Sequence, residues 1–391
     1  MPEVRLAPPK PQAKEGPLQF SPVIPISRRG LLEVTVGVLA LVAAFAELPR
    51  ALVERWYSTG LYPVVQQVLT PVSNLLPFAW LDVMVIAAVP AALFALIRAG
   101  RSAWRARRPV ILLVAVGHLA AAAAALYLVF LILWGFNYRR MPMEERLVLD
   151  RGAPAPAAVV ALGLEAVTRL NQLHAPAHAT GWVNDQRENA PLRQAFIDVQ
   201  ASLSDASPAV PGRLKRTALG LYFRWTGVDG MVNPFALEVL ANPDLLPFER
   251  AFVAAHEWSH LAGYADESEA NFVGWLACIG ADVPTQYSGW LYLFWQINGE
   301  VGTEDRARLG AALAPGPRAD LDAIVERLQR GQLPQLRMVS WLVYDQYLKA
   351  NRVEEGVRSY GAVVTLLLRA RFDEGWTPVR RGASSRSTPH P

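Results

Sequence analysis

Long apolar stretches in the first third of the chain constrain its fold more than any other feature. The strongest covers 109–136, and a second covers 78–97. Because about 20 apolar residues in a helix cross the ~30 Å hydrocarbon core of a bilayer, both are predicted to be transmembrane helices. The stretch 31–48 is shorter but also apolar, and it predicts a third span. We therefore expect a multi-pass protein of the cell membrane, with the lipid bilayer as a partner.

Each predicted span carries a polar side chain: Glu33, Asp82 and His118. Such residues can mark a transport pathway or a proton relay. However, three spans without an internal repeat do not resemble a transporter. A lone histidine in a membrane helix more often bonds a neighbouring helix, and this is the interpretation we favour for His118.

The composition agrees with a membrane protein and argues against two other classes. Of the 391 residues, 18% are charged, against about 25% in ordinary soluble proteins. The net charge is +4, but no basic run is interleaved with stacking aromatic residues, so we expect no nucleic-acid partner. The single cysteine, Cys278, excludes an internal disulfide and a zinc-finger site.

The arginines predict how the chain is oriented in the membrane. The tail before the first span is basic, and the loop "RAGRSAWRARRP" (98–109) is strongly so. Because cytoplasmic loops are enriched in Lys and Arg, both segments are expected in the cytoplasm. Three spans would then place the chain after residue 137 on the extracytoplasmic side. We interpret Asn137, Arg139 and Arg140, just past the third span, as an anchor to lipid headgroups rather than a helix cap.

The predicted fold class is mainly α, with N-terminal transmembrane helices followed by a mostly helical, zincin-like domain. The predicted units are a disordered basic tail (1–29), a membrane domain of about three helices (30–136), the zincin-like domain (137–375) and a disordered tail (376–391). Aromatic and β-branched residues flank the turn signal "TGVDG", which predicts a small β-hairpin at 221–236. Such a hairpin is more often part of the core, but it could also present an edge strand to an extended peptide.

The sequence His256-Glu257-Trp258-Ser259-His260 is an HExxH motif. On a helix, residues four apart lie on one face, so the two imidazoles can share one zinc ion. Glu257 could accept a proton from the zinc-bound water and pass it to a leaving amine. The surrounding residues are apolar, which predicts a buried helix and a need for a partner on the histidines.

A catalytic zinc usually takes three protein ligands and leaves one position open. The candidates for the third ligand are Asp266, Glu267 and Glu269, which we rank Glu267 first, Asp266 second and Glu269 third. The spacing of Asp266 resembles the metzincin peptidases, whereas Glu267 with Asn271 resembles the Glu-x-x-x-Asp pattern of the gluzincins. "ESEAN" is also close to the pattern of CAAX-prenyl-protease-like and HtpX-like membrane enzymes. Asn271 stands where those enzymes have the acid that supports a ligand histidine, and an asparagine is a weaker support.

Four segments together resemble a bacterial family of uncharacterised multi-pass membrane proteins, a domain of unknown function with an HExxH motif. They are "WGFNYRRMP", "GLYFRWTGVDGMVN", "AAHEWSHLAGYADESEANFVGWLAC" and "VYDQYLKANRVEEGVRSYGAVV". The resemblance extends over about 30–370 and implies a zinc peptidase in the membrane. It also favours Glu267 as the third ligand.

Stabilising the developing oxyanion needs a further donor. The candidates are Tyr344, Tyr347, Tyr360, Arg358, His174 and His178, each of which is more often structural. His174 and His178 are also four apart, but Pro176 between them argues against a helical metal-binding face.

The sequence thus predicts a membrane-anchored zinc metallopeptidase acting on a peptide or protein substrate. The alternative is a catalytically inactive, peptidase-like membrane protein that binds a metal or a partner at the cell envelope. Glu257 favours the enzyme, because a site that only binds metal does not need it.

Overall fold

The computed structural model describes residues 27–351 and 362–382, which form a mainly helical structure with one small sheet. The N-terminal helices are α1 (Arg28–Phe45), α2 (Arg50–Leu52), α3 (Tyr62–Asn74), α4 (Trp80–Ala106) and α5 (Val110–Leu133). A π-helical segment, Val53–Leu61, joins α2 to α3. The described residues that follow form α6 (Met143–Arg146), α7 (Pro156–Thr180), α8 (Ala190–Leu203), α9 (Gly220–Thr226), α10 (Arg250–Leu261), α11 (Glu267–Ile279), α12 (Val283–Glu300), α13 (Thr303–Ala312), α14 (Pro315–Gly331), α15 (Pro334–Ala350) and α16 (Ala362–Arg369).

Helices α4 and α5 are each long and apolar enough to cross a membrane. They correspond to the spans predicted at 78–97 and 109–136. The third prediction, 31–48, falls on α1, which passes the same test only together with Arg50–Asn74, bent from it by 109°. That pair is either a broken span or a re-entrant loop, so the described chain holds two candidate spans, or three if the bent pair is one.

The polar residues of these helices bond to neighbouring elements. His118 of α5 lies 2.8 Å from a carboxylate oxygen of Glu33 on α1, as favoured from the sequence. Asp82, near the start of α4, accepts hydrogen bonds from the Thr217 hydroxyl at 2.6 Å and the Ala218 backbone N–H at 2.8 Å. Asp82 therefore fixes the end of a candidate span to the following domain.

Asn137, Arg139 and Arg140, which follow α5, are buried in the protein. Their interpretation as an anchor to lipid headgroups is therefore wrong. Arg139 donates to the Ala43 carbonyl at 2.6 Å, which satisfies the free carboxyl end of α1. Arg140 is buried, pairs with Glu54 at 2.8 Å and donates to the Gly263 carbonyl at 2.8 Å. Asn137 is buried as well.

The sheet has three short strands in the order β1-β3-β2, with β1 (Leu214–Lys215) parallel and β2 (Gly230–Asn233) antiparallel to β3 (Glu238–Ala241). The hairpin predicted at 221–236 is therefore misplaced, because its first arm is helix α9. Phe223 of α9 is fully buried against Ala79 and Leu240. This long-range packing stabilises a helix where the local composition favoured a strand.

The core lies among α7, α8, α10, α11 and α12. Trp258 and Trp275 are its largest fully buried side chains. Helix α12 belongs to this core, since its residues Tyr287, Leu293 and Ile297 are fully buried. The chain after 376 is predicted to be disordered, but Trp376 packs edge-on against Trp275 and the Val379 carbonyl accepts a bond from the Val148 backbone N–H. The prediction of disorder therefore fails for 376–382, whereas 1–26 and 383–391 of the predicted tails lie outside the described residues.

Candidate metal centre

Helix α10 carries the HExxH motif and places His256, Glu257 and His260 towards the core. Its end is set by Gly263, whose φ of +83° is accessible mainly to glycine. Glu257 is 3% exposed and His260 8% exposed. The motif is therefore buried, as its apolar neighbours predicted.

Helix α11 begins with Asp266 as its N-cap. The Asp266 side chain accepts bonds from the Ser268 backbone N–H at 2.8 Å and the Glu269 backbone N–H at 3.2 Å. This cap starts the helix so that Glu267, in its first turn, faces the two histidines. Glu269 turns the other way and accepts a bond from the Met143 backbone N–H.

His256, His260 and Glu267 form a compact triangle of potential metal ligands. The two Nε2 atoms are 3.2 Å apart, and Glu267 Oε2 lies 3.4 Å from His256 Nε2 and 3.5 Å from His260 Nε2. In a tetrahedral zinc centre with bonds of about 2.0–2.1 Å, ligand atoms are about 3.3–3.4 Å apart. The three donors thus have the spacing and chemistry of such a centre, and among the three acids considered, Glu267 is the one placed with the histidines.

Buried polar atoms without hydrogen-bond partners also indicate a metal site at the triangle. His256 Nδ1, Glu257 Oε2 and Glu267 Oε2 are buried and make no hydrogen bond to the described protein. Buried polar groups are normally paired, so this concentration indicates a site built to hold a further group.

The electrostatics couple Glu267 to His260. Burial alone would lower the pKa of His260, but the negative charge of Glu267 outweighs it and raises that pKa to about 9. Burial would raise the pKa of Glu267, yet the histidines hold it well below its usual value. Burial raises the pKa of Glu257. In the absence of a cation, the triangle thus attracts a proton, as a cluster of metal ligands would.

Further contacts orient the histidines and Glu267, and the sequence did not reveal them. His260 Nδ1 lies 2.7 Å from the Tyr264 carbonyl, which leaves Nε2 for a metal. The Trp134 indole donates to the His260 carbonyl at 3.0 Å, and the Tyr344 hydroxyl donates to Glu267 Oε1 at 2.5 Å. Asn271, predicted to support the site, is buried, and its amide nitrogen has no hydrogen-bond partner among the described residues.

Two glycines allow backbone to approach the motif closely. A Cβ on Gly274 of α11 would lie 2.9 Å from the His256 backbone nitrogen. A Cβ on Gly230 of strand β2 would lie 2.4 Å from Glu257 Oε1. The first glycine sets the distance between α10 and α11, and the second brings an edge strand against Glu257.

The second histidine pair, His174 and His178, also lies on a helix. Helix α7 continues through Pro176, so the argument that proline excludes a common face is wrong. His178 Nε2 is 2.8 Å and His174 Nε2 3.6 Å from Asp320 Oδ2, and the Tyr287 hydroxyl donates to the same oxygen. These residues link α7, α12 and α14, away from the HExxH helix.

Of the candidate oxyanion donors, Tyr344 contacts Glu267 of the triangle. The ring of Tyr347 stacks on the ring of Tyr344, with the two ring centroids 6.0 Å apart. Arg358 and Tyr360 lie outside the described residues.

These observations define a mainly helical protein with candidate membrane helices and a buried cluster of two histidines and one carboxylate. The chain belongs to the family described as "Protein of unknown function (DUF3810)", which matches residues 57–368. Neither the curated proteins nor the solved structures contain a match.

Proposed function

We propose that this protein is a membrane-anchored zinc metallopeptidase, related in its site to the gluzincins. The observation that carries the proposal is the triangle of His256, His260 and Glu267, with a buried glutamate, Glu257, on the same helical turn as the histidines. Two histidines and a carboxylate are one of the ligand sets of catalytic zinc.

The roles follow from position. His256, His260 and Glu267 would hold the zinc, which when bound supplies Lewis-acid chemistry that polarises carbonyls and acidifies water. Glu257 would take the proton from the attacking water and deliver it to the leaving amine. Burial raises the pKa of Glu257, which makes its carboxylate a stronger base than that of an exposed glutamate.

The neighbouring strand supports a peptide as substrate. Strand β2 is at an edge of the sheet and reaches Glu257 through Gly230. An extended peptide could add to this edge through main-chain hydrogen bonds, which would place a peptide bond beside Glu257.

The helices support an extracytoplasmic site. The start of α4 and the end of α5 both adjoin the domain, so the arginine-rich turn between these helices is at the opposite end of the pair. If that turn is cytoplasmic, as its arginines favour, the site is on the outer side.

The test compares the purified wild-type protein with Glu257→Gln for metal content and for hydrolysis of a peptide library. We expect bound zinc in both and cleavage in the wild type alone, since the amide cannot accept the proton. The variant His256→Ala/His260→Ala should lose the zinc. The matched control is His174→Ala/His178→Ala, which removes the same residue types from the other cluster and should retain both zinc at the HExxH site and cleavage.

Zinc binding without cleavage by any variant would contradict the peptidase and favour the inactive, metal-binding alternative. Equal zinc content in wild type and His256→Ala/His260→Ala would contradict the metal site itself.

A further inference from the structure

Helix α15 exposes large apolar side chains. Leu336, Met338, Val339, Leu342 and Val343 are between 43% and 64% exposed, although each has a large aliphatic side chain. Leu348 is the one buried residue of this helix. A soluble helix of this exposure would be polar on most of its surface, so these side chains require another environment.

Helix α9 extends the same surface. Leu221 and Tyr222 of α9 are exposed, and the Tyr222 hydroxyl lies 2.7 Å from the Ser340 hydroxyl of α15. Near the end of α9, the Trp225 carbonyl accepts a bond at 2.9 Å from the backbone N–H of Leu333, just before α15. We call the exposed apolar side chains of α9 and α15 the apolar shelf. Contiguous apolar surface of this kind marks a protein or membrane contact.

The two helices that carry the shelf, α9 and α15, contact the chain next to the candidate membrane helices. Phe223 of α9 packs against Ala79 and Leu81, where α4 begins. Near the other end of α15, the Tyr347 ring packs edge-on against Tyr138, just after α5 ends. The start of α4 and the end of α5 are at the same end of that helix pair. The shelf therefore extends between the two points at which the candidate spans meet the domain.

The shelf also adjoins the metal centre. Tyr344, on the same helix as the exposed side chains, donates to Glu267 Oε1 at 2.5 Å. One helix therefore carries both the shelf and a direct contact to a residue of the candidate metal centre.

We propose that the apolar shelf is embedded in the surface of the lipid bilayer, and that the site receives peptide segments presented at that surface. The bilayer is the occupant because the helices of the shelf contact the chain where α4 begins and α5 ends, and the same bilayer would cover the exposed apolar side chains of α4 and α5. The assignment of a peptide substrate rests on the proposed function, whereas the position of the shelf does not.

The position is tested with single spin labels on the full chain in vesicles of phosphatidylethanolamine and phosphatidylglycerol. Cys278 is fully buried, so a surface cysteine is labelled selectively. The test positions are Met338→Cys and Leu342→Cys. Leu113→Cys on α5 is the control for lipid, and Arg308→Cys on α13 is the control for water.

Oxygen is enriched in lipid, whereas a water-soluble nickel chelate is not. We expect the labels at 338 and 342 to be more accessible to oxygen than to the nickel chelate, like the lipid control at 113. A nickel-accessible label at 338 and 342, as at 308, would overturn the proposal. Labels shielded from both reagents would also overturn it, because the shelf would then be covered by protein, such as a second copy or residues 352–361.

The substrate is tested with one reporter peptide, either free or tethered to the vesicle by an acyl chain. We expect the tethered peptide to be cleaved about 10-fold faster or more, because anchoring raises its effective concentration at the site. Met338→Lys/Leu342→Lys should lower this ratio and leave cleavage of the free peptide unchanged, while Val325→Lys on α14 should change neither.

Equal cleavage of both peptides would overturn the substrate assignment. If the proposed hydrolase were wrong, neither peptide would be cleaved while the labels at 338 and 342 still contacted lipid, so the two failures are distinguishable.

Discussion

At the residue scale, the triangle depends on how closely two helices approach. Gly274 lies seven residues after Glu267, two turns along the same face of α11, and its missing side chain allows contact with the His256 backbone. A methyl group there would meet backbone atoms, which cannot rotate away. The helices must then separate, and Glu267 moves with α11.

We therefore expect Gly274→Ala to weaken zinc binding by about 10–100-fold, the usual range when the support of a metal ligand is disturbed. The dissociation constant can be measured by competition with a chromophoric chelator. Gly310→Ala on α13, where a Cβ would meet open space, is the matched control and should bind zinc normally. Wild-type affinity in Gly274→Ala would show that the close approach of α11 does not set the ligand geometry.

The sequence predicts the two histidines of this triangle, because they lie close together on one helix. His256, Glu257 and His260 share one helical turn, so their relative placement follows from helix geometry. The choice among Asp266, Glu267 and Glu269 stayed open because it depends on which acid caps α11. Asp266 takes that role in the structure, and Tyr344 reaches the site from 77 residues further along the chain. No local pattern indicates such a contact.

At the element scale, a buried ion pair fixes the sheet to the start of the candidate span α4. Lys215 of β1 and Glu238 of β3 are 2.8 Å apart, and both are almost fully buried. Glu238 also accepts bonds from the Trp80 and Leu81 backbone N–H groups at 3.0 and 2.9 Å, at the start of α4. Burial would raise the pKa of Glu238, but bonds from Asn233 and Lys215 hold it below its usual value.

Removing one partner of a buried pair costs about 3–5 kcal/mol, so Lys215→Met should lower the free energy of unfolding by about that much. Lys215→Met/Glu238→Gln should recover part of the loss, because no buried charge remains. Unfolding in detergent, followed by tryptophan fluorescence, measures both. Arg330→Met removes an exposed pair with Glu326 and should cost less than about 1 kcal/mol. A similarly small loss for Lys215→Met would contradict the role assigned to this pair.

Elements differ in how far the sequence predicts them. The sequence predicts the candidate spans α4 and α5 because their apolar length is strong over many residues. It predicts α10 because the HExxH motif lies among apolar residues. Helix α9 was predicted as a strand, since its seven residues are rich in aromatic side chains and its helical state depends on Phe223 packing against Ala79 and Leu240. Short elements are decided by such distant contacts, which composition does not contain.

At the scale of the whole molecule, the helices connect the candidate metal centre to the candidate membrane helices. Asp82 fixes the start of α4 to Thr217, and Trp134, just after α5, bonds to the HExxH helix. Both candidate spans therefore meet the domain at one end. The arginine-rich turn, with Arg107 and Arg108, is at the other.

The side of the membrane on which the arginine-rich turn lies therefore fixes the side of the candidate metal centre. The arginines favour a cytoplasmic turn. In bacterial cells expressing variants with one added cysteine, an impermeant maleimide should label Arg308→Cys in spheroplasts. It should label Arg108→Cys only after permeabilisation. Wild type is the control, because its buried Cys278 should react in neither condition. Labelling of Arg108→Cys in sealed spheroplasts would place the turn outside, and the metal centre would then face the cytoplasm.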